Sequence, residues 1–550
     1  MSMFLKITKS NNYKYVQLVR SYRENGTTKH EVLFNLGRLD KIENNPSIQR
    51  LALRLQELSK ANQAQKVLDL NKTSEAEIVN WGYLVYQKLW KGFDLHKFLP
   101  SLLEGTKVQY SLNDTCFLMA VQHLLDPMSK LGTFNNQERY VNMPKIDLNS
   151  LYRSLDVLSE NKEKLEKLIF HKNMNLFNMQ VDVVLYDVTT FSFESVKQDN
   201  IRDFGFSKNG KFNEVQVVMG LLLDCEGRPI GYELFSGNTF DGNTLEASLE
   251  KLKKRFSIRK VIIVADRGIN SKLNLTKILD KGYGYIFASR LKKMKKSIQQ
   301  EIFTGEGYQE ASFPDSDRQE KIRYKIIDYT NRFKDKEGNI HNLEENLIIT
   351  YSEKRAKKDR ADRERLIKKA ESLLADKSKI KSSNKRGGKR FLKEISPESD
   401  WVMDHEAIKR DEQFDGYYGI QTNEKNLTAE EVLAAYHNLW KIEESFRIMK
   451  STLEVQPVFH WTESRIKGHF VICFLAFLLA RTMELKLQGA GIKASPEKIR
   501  EAINSMNFAK VKIDNKHYYI KTKGAELSNK ILRLLRMKQP NNVIAAEDFH

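Results

Sequence analysis

The spacing of apolar residues changes several times along the chain, and each change predicts a different kind of element. Over residues 1–40, short apolar stretches with Asn and Gly between them predict a small β element. From 41 to 176 the apolar residues recur at helical spacing, as in IQRLALRLQEL, EIVNWGYLVYQKLW and DTCFLMAVQHLL. This second region should therefore be helical.

Near residue 177 the period changes again. The runs VDVVLYDVTTFSFES, EVQVVMGLLLD and IGYELFSG predict three consecutive strands. The segments that follow predict a helix, a buried strand, a second helix and a last strand: TLEASLEKLKKRF, KVIIVAD, LNLTKILDKG and YGYIFASR. Residues 177–300 thus have the order β-β-β-α-β-α-β, which an RNase H-like core requires.

The rest of the chain interrupts and then completes this core. Residues 301–427 combine strands such as KIRYKIIDYT with a long charged helix, and we interpret them as a β-rich insertion. Two strongly periodic helices return over 428–490, and 491–550 is a basic tail with further helices. The fold class expected is α/β: an RNase H-like mixed sheet flanked by helices, interrupted by the insertion, with an N-terminal β/helical region.

Charge points to a polyanionic partner. The 550 residues include 91 Lys and Arg against 71 Asp and Glu, a net charge of +20. Nucleic acid is the simplest such partner, although a ribosomal or membrane-surface role would also explain the charge. Residues 353–393 alone hold 17 basic and 6 acidic residues. Such a run is more often a solvated helix or flexible arm than an element that recognises a specific nucleic-acid sequence.

Cysteine usage and hydropathy exclude other classes. Cys116, Cys225 and Cys473 are odd in number and far apart, so we expect neither a disulfide framework nor a zinc site built from clustered cysteines. The longest apolar run, residues 470–480, is too short to span a bilayer, which needs about 20 residues. We therefore expect a cytoplasmic protein without a membrane segment, in which that run is a buried helix.

The segment YHNLWKIEESFRIMKS, residues 436–451, carries the most informative polar residues. At helical spacing Tyr436, Glu443 and Lys450 lie nearly in line, and Arg447 follows Glu443 by one turn. An apolar stripe forms beside them from Leu439, Ile442, Phe446 and Met449. Two interpretations remain: a surface helix with an ordinary Glu443–Arg447 ion pair, or one acid placed among phosphate-binding groups.

Two aspartates follow buried strands. Asp187 ends the run VVLYD and Asp266 ends KVIIVAD. Acids at such positions often merely cap the next turn. If the first and fourth strands of the sheet are neighbours, however, both carboxylates emerge on one side, and Glu443 could complete a site for metal ions. Three acids suit two Mg²⁺ or Mn²⁺ ions roughly 3.5–4 Å apart, which promote in-line phosphodiester displacement.

These stretches resemble the bacterial insertion-sequence transposases, which have a DDE core and a Y-R-E-K signature around the catalytic Glu. The resemblance is carried by LYDVTTFSFES, PIGYELFSGNTFDGNTL, VIIVADRGINS, DGYYGIQTN and the Glu443 helix. It implies that Asp187, Asp266 and Glu443 are the metal-binding catalytic triad. It also implies that Tyr436 and Lys450 contact DNA phosphates.

One position departs from the signature. Its Arg, expected three residues after the Tyr, is Leu439 here. Either Arg447 or a nearby lysine such as Lys441 supplies that charge, or phosphates are held more weakly. We include Arg447 with Tyr436 and Lys450 in the expected phosphate-binding set.

Other polar and aromatic residues have simpler interpretations. Asn238 and Asp241 match a family motif, but turn chemistry explains them equally well. Trp401 and Tyr417 could stack on bases, although core packing is the simpler role. The histidines near the Glu helix show no zinc-ligand spacing and are interpreted as packing residues: His437, His460 and His469.

The resemblance implies an enzyme that binds the terminal inverted repeats of its element, cleaves double-stranded DNA with divalent metal and joins the ends to target DNA. Two ends cut together imply a homodimer or larger assembly. Residues 41–176 and the basic tail 491–550 are candidates for end recognition or subunit contacts. Two alternatives stay open: an RNase H-like nuclease without strand transfer, and an inactive transposase-derived DNA-binding protein.

Overall fold

The computed structural model describes most of the chain in ranges separated by gaps. The described residues are 2–10, 12–24, 27–42, 45–58, 76–177, 183–205, 213–256, 261–312, 321–334, 338–380, 383, 387–396, 400–513 and 516–549. They form two compact units. One comprises Met1–Asn80, Met506–Lys523 and Lys538–His550, and the other comprises Trp81–Ser505 and Gly524–Met537.

Strands and helices alternate in blocks along the chain. Up to residue 177 they are β1 (Ser2–Ser10), β2 (Tyr13–Glu24), β3 (Thr27–Arg38), α1 (Leu39–Ile42), α2 (Pro46–Leu58), β4 (Glu77–Asn80), α3 (Leu84–Gly92), α4 (Leu95–Ser101), α5 (Leu112–Leu125), α6 (Lys130–Asn135) and α7 (Leu148–Phe177). The next block comprises β5 (Val183–Ser192), β6 (Gln216–Asp224), β7 (Pro229–Ser236), α8 (Asp241–Phe256), β8 (Ile262–Ala265), α9 (Lys272–Asp280) and β9 (Gly284–Ala288).

The remaining elements begin where the insertion was predicted. They are α10 (Lys296–Phe303), β10 (Gln309–Ser312), β11 (Lys321–Lys334), β12 (Ile340–Tyr351), α11 (Glu353–Ala375), β13 (Leu392–Ser396), β14 (Asp400–Met403), α12 (His405–Glu412), β15 (Tyr417–Thr422), α13 (Ala429–His437), α14 (Trp440–Arg447), α15 (Glu463–Gly489), α16 (Pro496–Asn504), β16 (Asn507–Ile513), β17 (Lys516–Lys521), α17 (Glu526–Leu534) and β18 (Val543–Ala545). A π-helical turn, Ile448–Thr452, follows α14.

The smaller unit contains two antiparallel sheets, β1-β2-β3 and β18-β17-β16-β4. The prediction that EIVN begins a helix is wrong, because these residues form the strand β4. Val79 of β4 pairs with Phe508 of β16, and the Asn80 side chain donates a hydrogen bond to the carbonyl of Met506 at 3.2 Å. Local periodicity could not reveal this pairing because the partner strand lies near the other end of the chain.

The larger unit is built on a nine-stranded sheet with the order β10-β11-β12-β15-β9-β8-β5-β6-β7. The strands β5, β8 and β9 are parallel neighbours, and the other pairings are antiparallel. The elements from β5 to β9 follow the predicted order β-β-β-α-β-α-β. Every residue of β6, β8 and β9 is buried, which explains why these strands read as continuous apolar runs.

Strands of the predicted insertion extend the same sheet. Ile420 of β15 pairs with Ala288 of β9 and with Ile348 of β12. Outside this sheet, β13 and β14 form a two-stranded ribbon. The insertion is thus partly continuous with the sheet that it interrupts in sequence, and it can place residues beside the strand ends of β5 and β8.

Helices α5, α7 and α15 pack together beside the sheet. Residues 470–479 of α15 are all buried, so the longest apolar run is a core helix, as predicted. Helices α16 and α17 occur where periodicity predicted them. Among the helices that the structure describes, none has the length and apolarity needed to cross a membrane.

Candidate active site

Strand pairing brings the two predicted aspartates together. Strands β5 and β8 run parallel, with Val183 opposite Ile262 and Leu185 opposite Val264. If this register is continued by two residues in each chain segment, Asp187 lies opposite Asp266. Asp266 follows the last residue of β8 and is exposed, whereas Asp187 is half-buried. Asp187 does not end its strand, as the sequence suggested, because β5 continues to Ser192.

Glu443 reaches this place from a helix that packs on the sheet. Helix α14 contacts β5, and α13 contacts β8, β9 and β15. The single helix predicted over 436–451 is wrong in detail: α13 ends at His437, α14 begins at Trp440, and Lys450 lies in the π-helical turn. The predicted apolar stripe is buried, and it anchors the segment: Leu439, Ile442, Phe446 and Met449.

One cavity of about 870 Å³ joins these residues. Asp187, Asp266, Glu443 and Tyr436 all line it. The structure therefore brings together four of the six predicted site residues, from β5, the end of β8 and two helices. Arg447 and Lys450 are not among the described residues that line this cavity.

A chain of contacts connects Tyr436 to its surroundings. Its hydroxyl lies 3.4 Å from Oδ1 of Asp266 and 2.5 Å from the hydroxyl of Tyr418 on β15. Burial, together with Tyr418 and Asp266, raises the pKa of the Tyr436 phenol. The phenol is therefore protonated at neutral pH and donates toward Asp266. The Arg355 guanidinium carbon lies 4.2 Å from the centre of the Tyr418 ring, within cation–π distance.

Cations from the predicted insertion surround the acids. Lys354, Arg355 and Lys358 of α11 line the same cavity, as does Arg267, which follows Asp266. The basic segment is thus not simply a solvated arm: α11 starts at a Ser352 cap and buries Arg363, which pairs with Asp415. Periodicity missed these cations because the residues opposite them come from distant parts of the chain.

The residues expected to replace the signature Arg lie elsewhere. The Arg447 side chain is 71% exposed and pairs with Glu444 at 3.3 Å. Lys441 donates to the carbonyl of Cys225 at 2.8 Å. The Lys450 ammonium lies 5.5 Å from the centre of the Phe191 ring. Leu439 itself is buried and lines the cavity.

A second cavity of about 1030 Å³ shares Arg267, Arg355 and Tyr418 with the first. Its other lining residues include further cations, Arg290, Lys292, Lys293 and Arg390. Aspartates such as Asp411 offset part of this charge, since Asp411 pairs with both Lys292 and Arg390. The two cavities thus share part of their lining, and together they place many cations near the three carboxylates.

The motif around Asn238 contributes to this second cavity. Asn238 lines it, and Asp241 is the first residue of α8. Gly237 has a packing role: an added Cβ would lie 2.1 Å from the carbonyl oxygen of Gln216. Tyr417 also lines the cavity while packing edge-on against Phe303. Trp401 belongs to a small apolar cluster with α11.

Comparisons with known proteins place these residues within a transposase domain. The family model described as the Transposase DDE domain matches residues 180–479, and the IS1634 family transposase N-terminal domain matches residues 5–66. No curated protein sequence matches the chain. The piggyBac transposase synaptic complex with hairpin DNA is similar in structure, with a TM-score of 0.36, 10% identity and coverage of 78% of this chain and 82% of that chain. The Mos1 transposase paired-end complex with left transposon end has a TM-score of 0.15 and 11% identity, covering 33% of this chain and 60% of that chain.

Proposed function

The chain belongs to the DDE-domain transposases of insertion sequences, and we propose that Asp187, Asp266 and Glu443 are the carboxylates with which it cleaves and joins DNA. The observation that carries the proposal is the single cavity lined by all three acids. We further infer that the strands from β5 to β9 are an RNase H-like core, since their order along the chain is the one that such a core requires.

The donor set fits a hard divalent metal. Three carboxylates in one cavity offer only oxygen ligands, which favour Mg²⁺ or Mn²⁺ over thiophilic ions. We propose two ions per site, held by Asp187, Asp266 and Glu443. When bound, they would lower the pKa of an attacking water or 3′-hydroxyl and stabilise the departing oxygen. Tyr436 keeps Asp266 oriented through its hydroxyl.

The family signature has an Arg where this chain has Leu439. We propose that cations of α11 supply this positive charge instead. Arg355 lines both cavities and stacks on Tyr418, which contacts Tyr436. A guanidinium at this point can contact a DNA phosphate while the aromatic face holds its orientation. Lys354 and Lys358 add charge along the same helix. Arg447 and Lys450 then have at most a peripheral part in phosphate binding.

A variant pair tests the role of Arg355. Arg355→Gln should weaken binding to DNA of any sequence, and it should reduce the slope of log affinity against log salt by about one unit per lost phosphate contact. Arg365→Gln is the matched control, because Arg365 lies on the same helix, is 72% exposed and lines neither cavity. Equal salt slopes for the two variants would refute the assignment.

The substrate is double-stranded DNA carrying the element's ends, and the reaction includes strand transfer. Two ends processed together call for a homodimer or larger assembly on DNA. Strand transfer separates this function from a plain nuclease. With a pre-cleaved end bearing a 3′-hydroxyl and a supercoiled target, wild type should give joined products in Mg²⁺ or Mn²⁺. Nicking of an uncleaved end at the element boundary, with no joined products from the pre-cleaved end, would instead support the nuclease.

A matched substitution on one helix links the joining reaction to the site. Glu443→Gln should abolish joining while leaving DNA binding in place. Glu444→Gln should join normally, because Glu444 faces Arg481, which keeps its second partner Glu484. If both variants joined DNA equally well, Glu443 would not be a catalytic residue.

A further inference from the structure

The three-stranded sheet β1-β2-β3 of the smaller unit has two faces of different composition. Cross-strand partners in an antiparallel sheet lie on the same face, so the pairing register assigns each side chain to one of the two faces. On one face a row of large apolar residues crosses all three strands, formed by Leu5, Leu18 and Phe34. Met3 and Ile7 extend this row along β1. We call this side the apolar face.

Both acids of the sheet also lie on the apolar face. Glu31 is the register partner of Arg20 and pairs with it at 2.5 Å, and Glu24, four residues after Arg20 on β2, pairs with Lys29 at 2.7 Å. The opposite side, which we call the polar face, has no acid within the described strands. An anion that approaches the polar face therefore meets no carboxylate of these strands.

Rows on the polar face combine cations with side chains that form hydrogen bonds. These rows are Lys6–Gln17–Asn35, Phe4–Val19–Val32, Ser21–His30 and Arg23–Thr28. Lys6, Arg23 and Asn35 are exposed. At the end of the face near α1, Arg38 pairs with Asp40 at 2.6 Å, so Lys6 and Arg23 supply most of the uncompensated positive charge on this side.

These residue types and their spacing fit the major groove of duplex DNA. Gln and Asn can contact adenine, Lys can contact guanine, and Ser and Thr can contact either base. Strands about 4.8 Å apart place Lys6 and Asn35 about 10 Å apart, close to the groove width of about 12 Å. Successive residues on one face of a strand are separated by about 7 Å, or about two base-pair steps. A sheet can therefore follow several bases along the groove.

We propose that the polar face of β1-β2-β3 binds the major groove of double-stranded DNA. Gln17 and Asn35 contact base edges, and Lys6 and Arg23 contact phosphates. That this duplex is the element's own end rests on the function proposed above. A protein partner would fit the apolar face better, because Leu5, Ile7 and Phe34 are each more than half exposed there.

Two lysines of one strand form a matched test of the phosphate contact. Lys6→Gln in the full-length protein should weaken binding to any duplex severalfold and reduce the slope of log affinity against log salt by about one unit. Lys9→Gln should change neither quantity. Lys9 is also exposed on β1, but its register partner is Lys14 and it lies on the apolar face.

A second pair tests base recognition. Gln17→Ala should reduce the preference for the element's end over a scrambled duplex at least about fivefold. Thr27→Ala, at the register partner of Glu24 on the apolar face, should keep that preference. Replacing single adenines of the end by 7-deazaadenine removes an acceptor of the major groove. Wild type should lose affinity at one or more of these positions, and Gln17→Ala should lose no more at the position that Gln17 contacts.

Circular dichroism verifies that each variant is folded. Folded Lys6→Gln and Gln17→Ala that bind the end with the affinity, salt slope and preference of wild type would overturn the inference. A changed sedimentation coefficient with unchanged DNA binding would also overturn it, since the polar face would then contact protein. If wild type shows no preference for the end, the proposed function fails instead, and the Lys6–Lys9 comparison on scrambled duplex still decides whether the polar face binds DNA.

Discussion

Glu345 provides a quantitative test of the network that supports the Asp266 loop. This side chain on β12 is fully buried, and its Oε1 accepts hydrogen bonds from the Tyr285 hydroxyl and from Gln421 at 2.8 Å. The Gln421 side chain in turn accepts from Asn270 at 3.0 Å, in the loop that follows Asp266. Replacement by Gln keeps the shape and one acceptor while removing the ionisable group.

Burial raises the pKa of Glu345 from 4.5 to about 7, despite the hydrogen bonds that lower it. The folded protein therefore holds this proton more tightly than the unfolded chain. The associated stability is complete below pH 4.5 and is lost as pH rises through 7. A difference of about 2.5 pKa units corresponds to about 3 kcal/mol by pH 8.

Thermal or denaturant unfolding of wild type and Glu345→Gln between pH 4.5 and 8 measures this effect. The stability of the variant relative to wild type should rise with pH across that range, approaching about 3 kcal/mol. Glu344→Gln, at the exposed neighbouring position, should show no such trend. A flat difference for Glu345→Gln would mean that the carboxylate is ionised in the folded protein or reaches water.

Three further substitutions test the account. Tyr436→Phe should slow single-turnover DNA cleavage about fivefold, since the hydroxyl contact with Asp266 contributes about 1 kcal/mol. Gly468→Ala should lower Tm severely, because the added Cβ would lie 2.0 Å from the backbone oxygen of Leu155. Gly489→Ala, also on α15, is the control: its added Cβ would meet nothing within 4 Å, so Tm should not change. Arg363→Ala should cost on the order of 3 kcal/mol by leaving the largely buried Asp415 carboxylate unpaired, and limited proteolysis of the insertion should detect this loss.

Much of the sheet and of the acidic site could be predicted, for a physical reason. Buried parallel strands are apolar throughout, so β8 and β9 stand out as runs bounded by polar residues. Their order along the chain suggested that β5 and β8 are neighbours, and the pairing confirms it. That topology predicts that Asp187 and Asp266 lie close together at one edge of the sheet.

The cationic side of the site could not be predicted in the same way. Arg355 lies on a helix whose residues are charged on most sides, so its amphipathic pattern is weak. Its place beside Tyr418 depends on β15 joining β9 across a long stretch of chain. The break between α13 and α14 also gave no signal, because Asn438 and Leu439 include neither Pro nor Gly.

Cleavage of a labelled duplex carrying the element's end tests the central claim most directly. Wild type should nick at the element boundary only when Mg²⁺ or Mn²⁺ is present. Glu443→Gln should bind the same duplex with similar affinity and leave it intact, because one carboxylate ligand has lost its charge. Boundary nicking by Glu443→Gln at the wild-type rate, or by wild type without divalent metal, would contradict the assignment of the three acids.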